Sequence, residues 1–196
     1  MGFRVGRRVL AGLLLAGLAA AAGAGELRAM EYTPGSAAEA RAWQAELRAR
    51  LFDLLRLDGL RGRDIPLDAE VVKTEKRDGI VFEHLRLRAT AARRFNAVAA
   101  HRPGLSGPAP AVVAIHGHGG DRWTPFDAEK PQYKQFGTEL ARRGFLVVST
   151  DVGQHEVYEA GMLLMGERLW DLMRCVDYLV ARPEADPDRL GCAGLS

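Results

Sequence analysis

Two short stretches of this sequence hold residue types that can do chemistry. One is Gly194-Leu195-Ser196, which follows an apolar run over residues 190–193. The other is His116-Gly117-His118-Gly119-Gly120, directly after the β-branched run at 111–115. A serine on a sharp strand-to-helix turn presents its hydroxyl as a nucleophile, and a preceding glycine leaves room for that turn. A glycine-rich loop turns backbone N–H groups toward a developing oxyanion without side-chain obstruction, as acyl transfer requires. Gly and Ser are also ordinary turn residues, and the histidine loop also reads as a plain βα turn. What gives the pair weight is that both stretches sit at the ends of expected strands. A metal reading competes with it: His116 and His118 have ligand spacing, and His155 or Asp121 could complete a set. No second tight ligand pair supports that reading, so neither a metal nor another cofactor is expected.

The elements that must position these residues follow from periodicity. Runs apolar on both faces at 111–117 and 145–151 fit strands buried between helices, and residues 189–194 form a third. Residues 131–144 read as a helix ending on Gly144. Residues 162–181 read as an amphipathic helix, with Met165, Leu169, Leu172, Met173, Val176, Leu179 and Val180 on one stripe. Glu167, Asp171, Arg174 and Asp177 lie toward its other side. This alternation predicts βαβ units with a parallel sheet and right-handed crossovers. Before it, residues 69–100 read as extended segments separated by turns such as Asp78-Gly79. His84 and His101 fall there and receive no functional role. Residues 36–57 read as a helix capped by Ser36, with Glu39 three residues on, and packed on the domain that follows.

The chain has 196 residues, 47% of them hydrophobic and 27% charged, a globular composition long enough for a sizeable core. Arg4, Arg7 and Arg8, the apolar run at 9–24 and the Ala22-Gly23-Ala24 site together predict a secretory signal peptide over residues 1–24. The apolar run is shorter than the roughly 20 residues of a membrane span, so no stable membrane anchor is expected after cleavage. Without those three arginines the formal charge falls from +2 to −1, which carries no electrostatic footprint for nucleic acid. Cys175 and Cys192 are expected as buried free thiols.

Four stretches together resemble the α/β-hydrolase superfamily, in particular its acetyl xylan esterase and dienelactone hydrolase-like group. They are "PAPAVVAIHGHGG", "ELARRGFLVVSTDVG", "GERLWDLMRCVDYL" and "RPEADPDRLGCAGLS". The resemblance covers residues 109–196 well and 65–108 loosely. It implies Ser196 as catalytic nucleophile and His118, with Gly119, as oxyanion-hole residues. His116, Gly117, Gly120 and Gly194 become structural members of the motifs, with His116 not the base. Asp151-Val152-Gly153 matches a strand-end turn but lacks the arginine often found after it.

The expected fold is the N-terminal portion of an α/β hydrolase, a mostly parallel sheet flanked by helices. Strand 111–116 should lie between strands 145–151 and 189–194. The expected organisation is residues 1–24 signal peptide, 25–64 N-terminal helical segment and 65–196 partial hydrolase domain. The superfamily orders its triad Ser, acid, His, so the acid and base are expected beyond Ser196, with this chain inactive and poorly folding by itself. The implied function is an exported serine ester hydrolase, periplasmic or secreted, acting on a small-molecule or carbohydrate ester. A peptidase or thioesterase on the same fold, and a non-catalytic secreted binding domain, are the alternatives.

Overall fold

The structure, a computed structural model, describes residues 30–195. The expected signal peptide and Ser196 lie outside the described residues. The chain divides into two compact units, residues 1–51 and 52–196.

Helix α1, Ala37–Leu54, starts where Ser36 Oγ accepts the Glu39 N–H at 3.2 Å. Glu39 Oε2 accepts the N–H of Gly35 at 2.7 Å, so the capping box closes one residue earlier than the usual pattern. In the first unit the Trp43 ring meets Tyr32 edge to face at 5.0 Å. No residue of α1 is buried. The helix stops short of the expected residue 57 because Arg56 takes a left-handed φ of 57°. That turn drops Leu57, fully buried, into the core of the second unit.

The second unit contains strands β1 (Glu70–Arg77), β2 (Ile80–Arg88), β3 (Arg94–His101), β4 (Ala109–Ile115), β5 (Leu146–Thr150) and β6 (Ala185–Gly194). Helix α2, Phe136–Arg142, precedes β5, and helix α3, Leu164–Ala181, follows it. The sheet order is β1-β2-β3-β5-β4-β6. β1, β2 and β3 pair antiparallel, and β3 joins β5 antiparallel. β4 pairs parallel with both β5 and β6, as expected from the sequence. Alternate residues of one strand serve opposite faces: Leu146 and Val148 meet the α3 side, Val147 the α2 side. Both faces are thereby covered, which is why β4 and β5 read as unbroken apolar runs.

Three expectations need correction. Helix α2 begins at Phe136 rather than near 131, because Lys134 and Gln135 both take φ of 50° and break the helical path. Cys192 is exposed, whereas Cys175 is fully buried; both are free. On α3 the buried face follows the expected stripe only in part: Leu179 is buried and Leu169, Leu172 and Met173 pack on the core, but Met165, Val176 and Val180 are exposed, while Glu167, Asp171 and Arg174 are buried beside Trp170 and Tyr178. Partners on other elements make this possible. Arg174 Nε and Nη2 donate to the carbonyls of Arg88 and Ile65 at 3.0 and 2.8 Å, and Trp170 Nε1 donates to that of Ala89 at 2.7 Å. A buried charge that is paired and hydrogen-bonded does not force its helix face outward.

Candidate active site

The loop after β4 is built around His116. Its ring is buried, and Nε2 accepts the backbone N–H of Val152 at 3.0 Å. The ring proton therefore sits on Nδ1, which donates to the Gly117 carbonyl at 2.8 Å. Both ring nitrogens are thus engaged within the protein and tie the loop after β4 to the loop after β5. The N–H of Gly117 donates to the Tyr133 hydroxyl at 2.7 Å. Gly120 is required by close approach: a Cβ there would stand 2.9 Å from His116 Nδ1 and 3.0 Å from Thr124 Oγ1.

A second tie comes from Asp151 at the end of β5. Its carboxylate accepts the backbone N–H of Arg122 at 2.8 Å and the Arg122 Nη1 at 2.6 Å. Asp121 Oδ1 accepts the N–H groups of Trp123 and Thr124 at 2.9 and 3.1 Å, so it caps a local turn.

What this scaffold presents is the segment His118-Gly119. Both residues are exposed, and neither N–H has a partner among the described residues. The His118 ring packs edge to face against His155 at 5.2 Å between centroids. A cavity of ≈ 350 Å³ lies alongside, lined by His116, His118, Val152, Met165 and Arg168 among others. Gly194 pairs with Ile115 in the β4–β6 ladder. A Cβ at Gly194 would sit 3.1 Å from the Ile115 carbonyl oxygen, so the approach of β6 to β4 is also tight. The end of β6, two residues before Ser196, therefore meets the end of β4, three residues before His118. Ligands of open α/β sheets bind beyond the carboxyl ends of the strands, which is this edge.

Buried charges hold the loop that carries His155. Glu167, fully buried, accepts the N–H groups of Tyr158 and Glu159 at 3.1 and 3.0 Å. Arg93 pairs both its Nη atoms with Asp171, at 2.9 and 2.6 Å, and stands 3.5 Å from Glu159. Burial raises the Asp171 carboxyl above its usual range, and the Arg93 donors oppose the rise. Sequence reasoning missed Tyr133, Glu167 and Arg93. Their signal was faint: a tyrosine before an expected helix, and charges on a face read as solvated.

The six-stranded sheet with helices on both faces, the parallel β5-β4-β6 order and the two strand-end loops now stand together. The fold is that of the α/β-hydrolase group. A solved structure from Bacteroides fragilis NCTC 9343, described as a "putative acetyl xylan esterase", matches with a TM-score of 0.67 at 17% identity. The match covers 100% of this chain and 57% of that one. An acetyl xylan esterase from Paenibacillus sp. R4 matches with a TM-score of 0.53 at 18% identity, over 74% of this chain and 50% of that one. Among curated proteins, "Putative hydrolase YtaP" of Bacillus subtilis (strain 168) is 30% identical over 172 residues. That alignment takes in 78% of this chain and 56% of the relative, so the chain spans little more than half the relative's length. No protein-family model matches the chain.

Proposed function

We propose that this chain carries the nucleophile and oxyanion loop of an exported serine ester hydrolase acting on small-molecule or carbohydrate esters. The observation that carries the reading is the free N–H pair of His118 and Gly119, beside a β6 end that leads within two residues to Ser196. Ser196 is the nucleophile in this reading, and His118 and Gly119 supply oxyanion donors aimed at charge that develops during acyl transfer. His116, Gly117, Gly120 and Gly194 shape the two turns. A serine hydroxyl needs an adjacent base to attack. His116 has both nitrogens engaged and is not the base; in this reading the superfamily's order of Ser, acid, His assigns the base and its acid partner to sequence beyond Ser196. Relatives named as esterases and a hydrolase support the ester-cleaving class, and the acetyl xylan esterase neighbours favour a carbohydrate ester. Residues 1–24 are proposed as the export signal, giving a periplasmic or secreted protein.

The test is hydrolysis of 4-nitrophenyl acetate and of acetylated xylan by the full-length protein, with Ser196→Ala as control. The expected result is turnover that falls by at least about 10³-fold in the variant. Equal rates in both would remove the serine mechanism. Residues 25–196 expressed by themselves are expected to show no Ser196-dependent turnover. Mass spectrometry of exported protein should find the mature chain starting near Gly25; an intact Met1 on a membrane-bound product would contradict the export reading.

A further inference from the structure

A second pocket opens at the same sheet edge, on the β3 side of β5. It has a volume of ≈ 230 Å³, and its lining includes Arg94, Asn96, Asp151, Gln154, Tyr158 and Asp171. Its charges are already paired. Asp171 holds Arg93 at 2.6 Å, Arg94 Nη2 donates to Asp68 at 3.2 Å, and Asp151 holds Arg122 at 2.6 Å. Paired charges in a small pocket leave little field to draw an ion.

Arg93, also in the lining, has no hydrogen bond on its Nε among the described residues, but that atom stands 3.5 Å from the Glu159 carboxylate, so its charge is paired as well. The remaining unsatisfied group is neutral. Gln154 Oε1 is buried with no hydrogen-bond partner among the described residues. Such an acceptor costs free energy unless something donates to it. Asn96, exposed, has no side-chain hydrogen bond among the described residues, and Tyr158, 65% exposed, offers a ring face and a hydroxyl. An acceptor needing a donor, an amide that both gives and accepts, and an aromatic face match the hydroxyls and C–H face of a sugar ring. The volume lies below the roughly 300–1,000 Å³ of sites for drug-sized molecules, which fits one ring.

We infer that this pocket binds a neutral pyranose ring, as a saccharide subsite separate from the oxyanion loop. The two are joined by one short segment: Gln154 faces the pocket, and the next residue, His155, packs on His118. A ring held here anchors the sugar portion of an ester whose carbonyl reaches the loop. That role in turnover rests on the esterase reading; the binding itself does not.

The experiment has two arms on the full-length protein. In the first, D-xylose is titrated by ligand-observed NMR, with D-glucuronate as the charged comparator. Xylose is expected to bind, glucuronate no more tightly, and Tyr158→Ala and Gln154→Leu to weaken xylose about tenfold, one stacking or hydrogen-bond contribution of about 1.4 kcal/mol. Circular dichroism on both variants separates lost binding from lost folding. No xylose binding up to roughly 50 mM, a millimolar-affinity limit, overturns the subsite; so does tighter glucuronate binding, or unchanged xylose binding in both variants. In the second arm, Tyr158→Ala should raise KM for acetylated xylo-oligosaccharide about tenfold with kcat little changed; a fall confined to kcat overturns the anchoring role. Failure of 4-nitrophenyl acetate turnover in the wild type counts against the esterase reading alone, and the xylose arm still decides the subsite.

Discussion

Replacing Arg93 by methionine should destabilise the protein severely at neutral pH and much less in acid. The Arg93 side chain is 9% exposed and the Asp171 side chain 4%. Arg93 gives two N–H donors to Asp171 and stands 3.5 Å from Glu159, while Glu167 acts on it electrostatically. Methionine fills similar volume but leaves three carboxylates sharing a buried site with no cation among them. Breaking a buried pair from one side costs about 3–5 kcal/mol, a large share of the roughly 5–15 kcal/mol that holds a domain together. Asp171→Leu should fall at the low end of that range, because Arg93 keeps Glu159. The double variant should be less damaged than Arg93→Met alone, because Glu159 retains the Thr90 hydroxyl and Glu167 its two backbone donors. In Arg93→Met the Asp171 carboxyl, raised by burial, loses the Arg93 donors that oppose the rise, so the folded state binds more protons and stability increases as pH falls. Urea unfolding followed by tryptophan fluorescence at pH 7.5 and pH 5 measures all of this. A loss below about 1 kcal/mol for Arg93→Met, or strict additivity in the double variant, would refute the reasoning.

Three further outcomes are expected. The Glu83 carboxyl is held at about 2, first by the His101 imidazole and then by Arg182 and Tyr178, against the opposing effect of burial. It thus contributes stability that is present above about 4.5 and lost as pH falls toward 2. Contact with Glu83 raises His101 above its usual 6.5, so its share is present below 6.5 and lost as pH rises through the raised value. His101→Gln should abolish that alkaline loss in a thermal-melt series, and an unchanged alkaline slope would contradict the pairing. Gly120→Ala should cost about 1–3 kcal/mol in urea unfolding, since the new Cβ meets His116 at 2.9 Å; a cost near zero would mean that the loop gives way freely. A thiol reagent should leave Cys175 unreacted in the native protein and titrate it only after denaturation; fast reaction of Cys175 in the native state would contradict its burial.

The strands were legible because β4 and β5 are apolar on both faces and bounded by turn residues, so sequence pattern and burial carry the same information. The extended start was legible through Asp78-Gly79 and partial alternation, but its antiparallel pairing came only with the structure. The face of α3 was legible only in part. Periodicity separates two faces of a helix, but the buried one depends on partners elsewhere, and Arg93 lies 78 residues from Asp171. The start of α2 was hidden by two non-glycine residues in left-handed conformation, Lys134 and Gln135, which no local rule anticipates. Around the site, the glycine-rich histidine loop after β4 and the end of β6 at Gly194 could be placed from motif spacing. The Tyr133 hydroxyl on Gly117, and the Val152 N–H that sets the His116 tautomer, exist only once distant segments meet.

The central claim is that Ser196 is the nucleophile of a serine hydrolase, and covalent labelling of the full-length protein tests it most directly. The protein is incubated with a fluorophosphonate and the modified peptide is mapped by mass spectrometry. The account predicts one stoichiometric adduct, on Ser196, absent after denaturation before labelling and absent from Ser196→Ala, because only an activated serine attacks the phosphorus centre. An intact, folded protein that turns over ester while Ser196 stays unlabelled, or one labelled at a different residue, would contradict it.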